Sequence, residues 1–253
     1  MQYHEKFKDI TVCVCEKRVE GIDKLMERVT RPEVILLDDA YQHRAVKPGI
    51  NILLIEYDSI FNQDYLLPAG NLREPLSSKK RADIIIVTKS PTILVPIEKK
   101  RMLEQLKPLP EQKVFFSFIR YGDFNKVFGP ESMMTMSASY YLEKRFTIVL
   151  VTGIANPAGL IEYLRRHTDK LETIIFPDHH EFTSKDIELI RERFTNIANQ
   201  SKIIVTTEKD AMRLRNPDFD PSIQKLPLFF LPIEIAFHQD GEKFDKIIDD
   251  YVR

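Results

Sequence analysis

Short apolar runs alternate with amphipathic stretches along most of the chain. Compact apolar runs predict buried strands, and apolar residues spaced three and four apart predict helices. The predicted strands are 10–15, 33–38, 51–56, 83–88, 146–152, 172–176, 202–206 and 228–236, and the predicted helices are 18–29, 96–107, 157–167, 184–199, 208–215 and 240–252. This alternation predicts mostly parallel sheets.

The order of these elements divides the chain into three segments. Two series of strands and helices predict an α/β fold of two Rossmann-like α/β/α domains with mostly parallel sheets. Two extended stretches, at 113–120 and 134–142, separate the series. We therefore expect domains at 1–110 and 146–253, joined by an extended connector at 111–145.

Composition restricts the classes of function open to the chain. Of 253 residues, 43% are apolar and 30% are charged, as in ordinary globular proteins. The net charge of −1, without a long basic run, gives no support for a nucleic-acid partner. No apolar run approaches the ~20 residues that a membrane-spanning helix needs. Cys13 and Cys15 fall on one face of a predicted strand, where buried small residues are favoured over metal or redox chemistry.

The first candidate site follows the apolar run at 34–37, which ends in Asp38 and Asp39. An apolar strand ending in Asp is the Walker-B pattern, whose carboxylate holds the magnesium that accompanies ATP. Ligands of open α/β sheets also bind beyond the carboxyl ends of strands. The alternative is an Asp that only reaches water or caps a helix. His43, five residues past Asp38, is a candidate to orient a phosphate or an acid.

A second candidate site lies in the segment LPAGNLREPL at 67–76. The residue before a proline is pushed toward extended backbone, so Arg73 and Glu74 should point to opposite sides of the chain. Arginine suits bidentate phosphate binding, and glutamate suits a metal ion or a sugar hydroxyl. The alternative is an ion pair on the surface of a loop.

A third candidate site combines Asp178, His179 and His180, which lie between a predicted strand and a helix. A histidine there suits general-base catalysis, because unperturbed imidazole titrates near neutral pH. The alternative is a pair of solvated histidines. Glu208 and Lys209 begin another helix, where backbone N–H groups favour an anion. Lys209 is thus a candidate nucleotide or phosphate contact, with an ion-pair cluster as the alternative.

Five ordered segments resemble the tetraacyldisaccharide 4'-kinases, the lipid A 4'-kinases of Gram-negative bacteria. The segments are DDAYQHR at 38–44, LPAGNLREP at 67–75, GIANP at 153–157, FPDHHEF at 176–182 and TEKDA at 207–211. The resemblance implies ATP-dependent phosphorylation of the 4'-hydroxyl of a tetraacyldisaccharide 1-phosphate, the lipid A precursor. It further implies ATP and Mg²⁺ as cofactors and a peripheral position at the cytoplasmic face of the inner membrane.

The resemblance also implies roles for individual residues. His179 would take the proton from the 4'-hydroxyl as general base, with His180 as second choice, and Arg73 would contact the transferred phosphoryl group. The implied magnesium ligands are Asp38, Asp39 and Glu74, and the assigned nucleotide contacts are Gln42, His43, Arg73 and Lys209.

One feature of the family is missing from the sequence. The kinases of this family are P-loop enzymes, but the 253 residues contain no G-x-x-x-x-G-K-[ST] segment to hold the phosphates. Residues 1–12 resemble the family sequence that follows its Asp-Glu-Pro catalytic element. We therefore interpret the chain as a kinase without its N-terminal part, so that its first domain is incomplete.

Two other interpretations stay open at this point. The chain could be a non-catalytic fragment that needs a separate P-loop chain. It could instead be a manganese-dependent phosphoesterase of the Asp-His-His class, with Asp38 as one ligand. Those enzymes bind substrate through a Gly-Gly-x-His element, and no Gly-Gly pair occurs here.

The missing P-loop leads to a prediction about nucleotide binding. A chain of these 253 residues should bind Mg-ATP weakly and show no 4'-kinase turnover, because no P-loop amides surround the phosphates. Titration calorimetry and transfer of labelled phosphate to the disaccharide measure the two quantities. Micromolar affinity for ATP, or labelled product, would show the prediction to be wrong.

Overall fold

The computed structural model describes residues 7–60, 69–70, 73–129, 137–216, 218–219 and 221–253. In these ranges the strands are β1 (Ile52–Glu56), β2 (Ile84–Thr88), β3 (Lys113–Tyr121), β4 (Asn125–Lys126), β5 (Thr147–Thr152), β6 (Leu171–Ile175), β7 (Lys202–Thr207), β8 (Leu228–Leu231) and β9 (Ile233–Phe237). The α-helices are α1 (Arg18–Met26), α2 (Pro96–Leu106), α3 (Ala138–Glu143), α4 (Ala158–Arg165), α5 (Ser184–Asn196), α6 (Glu208–Leu214) and α7 (Gly241–Val252). Short 3-10 helices occupy Asp58–Ile60, Leu76–Arg81 and Pro221–Lys225.

The chain forms two compact units. Unit 1 comprises Met1–Ile119 and Ile235–Arg253, and unit 2 comprises Arg120–Glu234. One sheet has the strand order β1-β2-β3-β9, with β1, β2 and β3 parallel. The other has the order β4-β8-β7-β5-β6 and is parallel except for the antiparallel pair of β4 and β8. The predicted α/β class with two mostly parallel sheets is confirmed.

Strand β5 is an inner strand of the unit 2 sheet, between β6 and β7, and all six of its residues are buried. Successive side chains of a strand point to opposite faces of the sheet. Val149 and Val151 accordingly pack in a cluster with residues of α5 and α6, whereas Ile148 and Leu150 pack with residues of α4 on the other face. A strand covered on both faces explains the continuous apolar run in the sequence.

Strand β2 has the same position in unit 1. Ile85 and Val87 pack against Met102 and Leu106 of α2. Ile84 and Ile86 face the other cluster, which includes side chains of α7. Each unit therefore has helices on both faces of its sheet.

The C-terminal residues differ from the predicted division. The single strand expected at 228–236 is two strands, β8 and β9, which belong to different sheets and are separated at Pro232. Proline has no N–H to donate to a ladder, so it favours such an interruption. The residues 235–253, expected in the C-terminal domain, belong to unit 1, where the apolar face of α7 packs beside β2 and β3.

The expected extended connector at 111–145 also differs from the structure. The stretch 113–120 lies in β3, an inner strand of the first sheet. The stretch 134–142, extended in the prediction, contains α3 in its described part, with Ser137 as N-cap accepting from the N–H of Tyr140. Residues 130–136 lie outside the described residues. The serine cap and packing into the core of unit 2 favour a helix over the expected extended segment.

Two predicted strands near the start of the chain are wrong. Neither 10–15 nor 33–38 forms a strand, although both lie within the described residues. Leu36 is 89% exposed, and Cys13 is exposed rather than buried. An apolar run forms a strand only when neighbouring strands satisfy its backbone groups, and neither run joins a described sheet.

Two matched leucines test this distinction. Leu150→Ala in the fully buried β5 should lower the free energy of unfolding by about 2–5 kcal/mol, because it leaves a cavity. Leu36→Ala should change it by no more than about 0.5 kcal/mol. Urea unfolding followed by circular dichroism measures both. Equal losses would contradict the exposed position of residue 36.

Candidate functional site

Two predicted segments lie together in unit 1. Arg73 Nη1 donates to both carboxylate oxygens of Asp39, at 3.1 and 2.9 Å, across 34 residues of chain. Glu74 pairs with Arg81 and, at 3.6 Å, with Arg44. We call these five residues the arginine–carboxylate cluster. The neighbours Arg73 and Glu74 thus have different partners, as the extended backbone before Pro75 predicts.

Tyr41 links this cluster to the body of unit 1. The guanidinium of Arg81 lies 4.4 Å from the centre of the Tyr41 ring and donates to the Tyr41 carbonyl at 3.3 Å. The Tyr41 hydroxyl donates to the carbonyl of Ser78 at 2.8 Å. The aromatic residue at position 41 therefore supports the loop that carries the carboxylates. Asp38, Gln42 and His43 are exposed in the same segment.

The two carboxylates of the cluster differ in environment. The Asp39 side chain is 70% exposed, but that of Glu74 is only 14% exposed. Burial by itself would raise the pKa of Glu74. Hydrogen bonds from Ser78 and Arg81 and the charges of Arg81 and Arg44 outweigh burial and hold this pKa below its ordinary value.

As arranged, these carboxylates do not assemble a magnesium site. In the described part of the chain, no three His, Cys, Asp or Glu side chains converge in a way that could hold a metal ion. Asp39 and Glu74 instead accept from arginines. The implied metal roles of Asp38, Asp39 and Glu74 stay predictions.

The two adjacent histidines of unit 2 have different environments. The His180 ring stacks on Phe176, with 4.5 Å between ring centres, and meets the edge of Phe182. Its Nε2 lies 3.0 Å from Oδ2 of Asp186, the residue that completes the capping box of α5 with Thr183. His180 therefore packs against aromatic side chains and contacts the first turn of α5.

His179, by contrast, is exposed and surrounded by charged groups. Its Nε2 lies 3.3 Å from Lys209 Nζ, and its Nδ1 lies 3.4 Å from Nη2 of Arg213. Asp178 Oδ1 lies 3.5 Å from Lys209 Nζ. We call Asp178, His179, Lys209 and Arg213 the histidine cluster. Burial opposes the charge of Asp178, but His179 and Lys209 outweigh it and lower the pKa of this carboxyl.

Gly153 and Asp210 hold the backbone beneath the histidine cluster. The Asp210 carboxylate, with no exposed surface, accepts from the Gly153 N–H at 2.9 Å. The Gly153 carbonyl in turn accepts from the His179 N–H at 3.2 Å. A Cβ at position 153 would lie 3.2 Å from both His180 Cβ and the Pro177 carbonyl oxygen, so glycine permits this close approach.

Two candidate residues have left-handed backbone. The φ angle is +46° at Asp39 and +60° at His179. Positive φ is uncommon for residues other than glycine, although Asp and His tolerate it better than most. Such positions are frequent at functional sites. In both segments the turn changes the direction of the chain at the candidate residue.

Comparison with known proteins identifies the family. A family model described as tetraacyldisaccharide-1-P 4'-kinase matches residues 1–253. A tetraacyldisaccharide 4'-kinase of Phocaeicola vulgatus is 42% identical over 255 residues, covering 100% of this chain and 69% of the relative. One of Bacteroides thetaiotaomicron is 43% identical over 260 residues, covering 100% of this chain and 68% of the relative. The chain belongs to the tetraacyldisaccharide 4'-kinase family.

Membership of this kinase family confirms the resemblance found in the five sequence segments. Two of those segments meet in the arginine–carboxylate cluster, and the other three, at 153–157, 176–182 and 207–211, meet in and beneath the histidine cluster. The LPAGN part of the second segment is only partly described, because residues 61–68 and 71–72 lie outside the described ranges.

Four residues of these networks were not predicted from the sequence. Arg44 and Asp210 lie inside two of the five segments that resemble the kinase family, and this position could have indicated them as site residues. Arg81 ends a basic run at 79–81 that resembles a solvated surface. Arg213 follows Asp210 by three residues, a spacing that places both on one helix face and could have indicated the pair.

The capping box leads to a prediction about pH. Burial opposes ionisation of Asp186, but hydrogen bonds from Thr183 and His180 outweigh it and hold the pKa below the ordinary 3.8. A carboxyl with a lowered folded-state pKa stabilises the fold above its ordinary value, and this contribution is lost as the pH falls through the folded value.

Asp186→Asn should therefore lower the free energy of unfolding at neutral pH. The difference in free energy of unfolding between this variant and the parent should become smaller below a pH of about 4. Urea unfolding across a pH series measures the difference. Glu188→Gln, an exposed change on the same helix, is the control. A constant difference at all pH values would exclude this role for Asp186.

Proposed function

We propose that this chain acts in the ATP-dependent phosphorylation of the 4'-hydroxyl of a tetraacyldisaccharide 1-phosphate, a step of lipid A biosynthesis. The observation that carries the proposal is the family match over all 253 residues. Relatives at 42% and 43% identity are named for this activity. ATP is the phosphoryl donor that a kinase of this family implies.

His179 is the proposed general base for the 4'-hydroxyl. Its ring is exposed, whereas the His180 ring is stacked on Phe176 and bonded to Asp186. A base must reach the proton that it removes, and an exposed imidazole on a fixed turn meets this requirement better than a packed one. Lys209, next to His179, is the proposed contact for a phosphate.

Arg73 is the proposed contact for the transferred phosphoryl group, with Gln42 and His43 as further nucleotide contacts. Arginine binds phosphate and carboxylate with the same planar arrangement of donors. One nitrogen of Arg73, Nη1, donates to both carboxylate oxygens of Asp39, so the guanidinium already binds an anionic group. Phosphoryl transfer depends mainly on positioning and charge neutralisation, which is what this arginine can supply.

The role of magnesium is a proposal that rests on the family resemblance. Asp38, Asp39 and Glu74 carry the oxygen donors that Mg²⁺ prefers. In the structure Asp39 and Glu74 contact arginines, and no metal-dependent step is assigned to the three carboxylates. We place the activity at the cytoplasmic face of the inner membrane, as the family resemblance implies. Among the described helices, none is long and apolar enough to cross a membrane.

The phosphoesterase alternative is less well supported. Enzymes of the Asp-His-His class need further Asp ligands beside this element, and the described residues contain no group of three His, Cys, Asp or Glu side chains that could hold a metal ion. Here His179 contacts Lys209 and Arg213, whereas His180 contacts Asp186 on α5. The two imidazoles therefore have separate partners. Transfer of labelled phosphate by the unfused 253-residue chain tests a non-catalytic role for these residues alone.

The test compares the two histidines in a competent enzyme. The chain is fused to the part of the Phocaeicola vulgatus relative that lies outside the match, and 4'-kinase turnover is measured. His179→Ala should lower kcat by about 10²–10⁴-fold with little change in the KM for ATP, as expected for loss of a general base. His180→Ala should mainly lower stability.

His167→Ala, a change elsewhere in unit 2, is the control and should leave kcat near the parent value. If His180→Ala abolishes turnover while His179→Ala is mild, the assignment within the pair is wrong. If neither change affects turnover, the histidines do not supply the base. A fusion that transfers no phosphate to the disaccharide would count against the proposed function itself.

A further inference from the structure

Two cationic side chains flank the ring of His179. Lys209 Nζ lies 3.3 Å from its Nε2 and Arg213 Nη2 lies 3.4 Å from its Nδ1. Lysine and arginine are donors only, and a neutral imidazole has one accepting nitrogen. The two side chains therefore compete for a single lone pair. The donor that forms this hydrogen bond determines which nitrogen of His179 carries the proton, because a ring nitrogen that accepts a hydrogen bond leaves the proton on the other nitrogen.

The two competitors are anchored differently. Arg213 Nη1 lies 3.3 Å from Oδ1 of Asp210, a carboxylate with no exposed surface. The other oxygen of Asp210 accepts from Thr152, Thr207 and the Gly153 N–H at 2.8–3.1 Å. Asp210 is therefore fixed by the ends of β5 and β7, and it fixes Arg213.

Lys209 has a weaker anchor. Its partner Asp178 is 39% exposed and lies 3.5 Å away. Exposed ion pairs contribute little and are easily rearranged. Of the two donors, Arg213 is the one whose position is determined by the core of unit 2.

We propose that Arg213, anchored by the buried Asp210, is a positioning residue that sets the tautomer and orientation of the His179 imidazole in competition with Lys209. The functional consequence, that the tautomer selects the nitrogen that accepts the substrate proton, rests on the proposed function. The tautomer effect itself is a property of the chain without substrate.

The experiment measures the ring nitrogens of His179 by long-range ¹H–¹⁵N NMR on the 253-residue chain. The pH is about 8, where a free imidazole is neutral. A His179→Gln spectrum assigns the signals among the six histidines. Arg213→Met should shift the ring toward the tautomer with the proton on Nδ1, since Lys209 then donates to Nε2 without a competing donor at Nδ1. Asp178 Oδ2, 3.6 Å from Nε2, favours a proton on that nitrogen and limits the size of this shift. Lys209→Met should shift the ring the opposite way.

Three further variants complete the design. Arg213→Lys restores a cation and should keep the signals close to the parent. Asp210→Asn should shift them in the direction of Arg213→Met, because it releases the arginine. Arg166→Met removes an exposed arginine paired with Glu162 on α4 and should have no effect. Circular dichroism verifies that each variant is folded, and if Asp210→Asn does not fold, the two methionine variants still decide the question.

Opposite shifts in Arg213→Met and Lys209→Met would support the proposal, because a purely structural disturbance has no reason to change sign. Shifts in the same direction, or no shift in either variant, would overturn it. The outcome is independent of turnover. If the tautomer shifts occur but His179→Ala leaves kcat unchanged in the fused enzyme, the proposed base role fails while the positioning of the ring stands.

Discussion

The buried carboxylate of Asp210 is the interaction on which the geometry of the histidine cluster depends. It accepts from side chains or backbone at the ends of β5 and β7 and from Arg213 on α6. A buried polar group is costly unless its hydrogen bonds are satisfied, and a satisfied network holds its members in one arrangement. Through Gly153 and Arg213, the same carboxylate reaches both the backbone and the ring of His179.

The adjacent histidines show how one turn places two neighbouring side chains in different environments. His179 has left-handed backbone and an exposed ring, whereas the ring of the next residue, His180, packs against Phe176 and Phe182. The bond from His180 to Asp186 then joins the turn to the start of α5. In unit 1, Asp39 also combines positive φ with a charged partner, so both candidate segments use a tight turn to present a polar side chain.

Much of the fold could be predicted from sequence patterns. The runs that became β1, β2, β5, β6 and β7 were found within one or two residues. Strands β2, β5 and β7 are largely buried and read as continuous apolar segments, whereas β1 and β6 lie at the ends of their described sheets and carry exposed residues. The same rule failed at 33–38, where Leu36 is exposed and no described strand lies alongside. At Pro232 the sequence did contain a local signal. The apolar run 228–236 was predicted as a single strand, but the proline inside it separates β8 from β9.

By itself, the sequence determined the α/β class, the kinase family and the segments that carry the candidate chemistry, because these depend on local periodicity and on ordered motifs. Only the tertiary structure decided which of His179 and His180 is exposed. It also decided that Arg44 and Arg81 form ion pairs with Glu74, and that Arg213, paired with Asp210, contacts the His179 ring. The physical reason is that burial and charge pairing are set by residues distant in sequence. Asp39 meets Arg73 across 34 residues and Asp210 meets Thr152 across 58, and no local pattern encodes either contact.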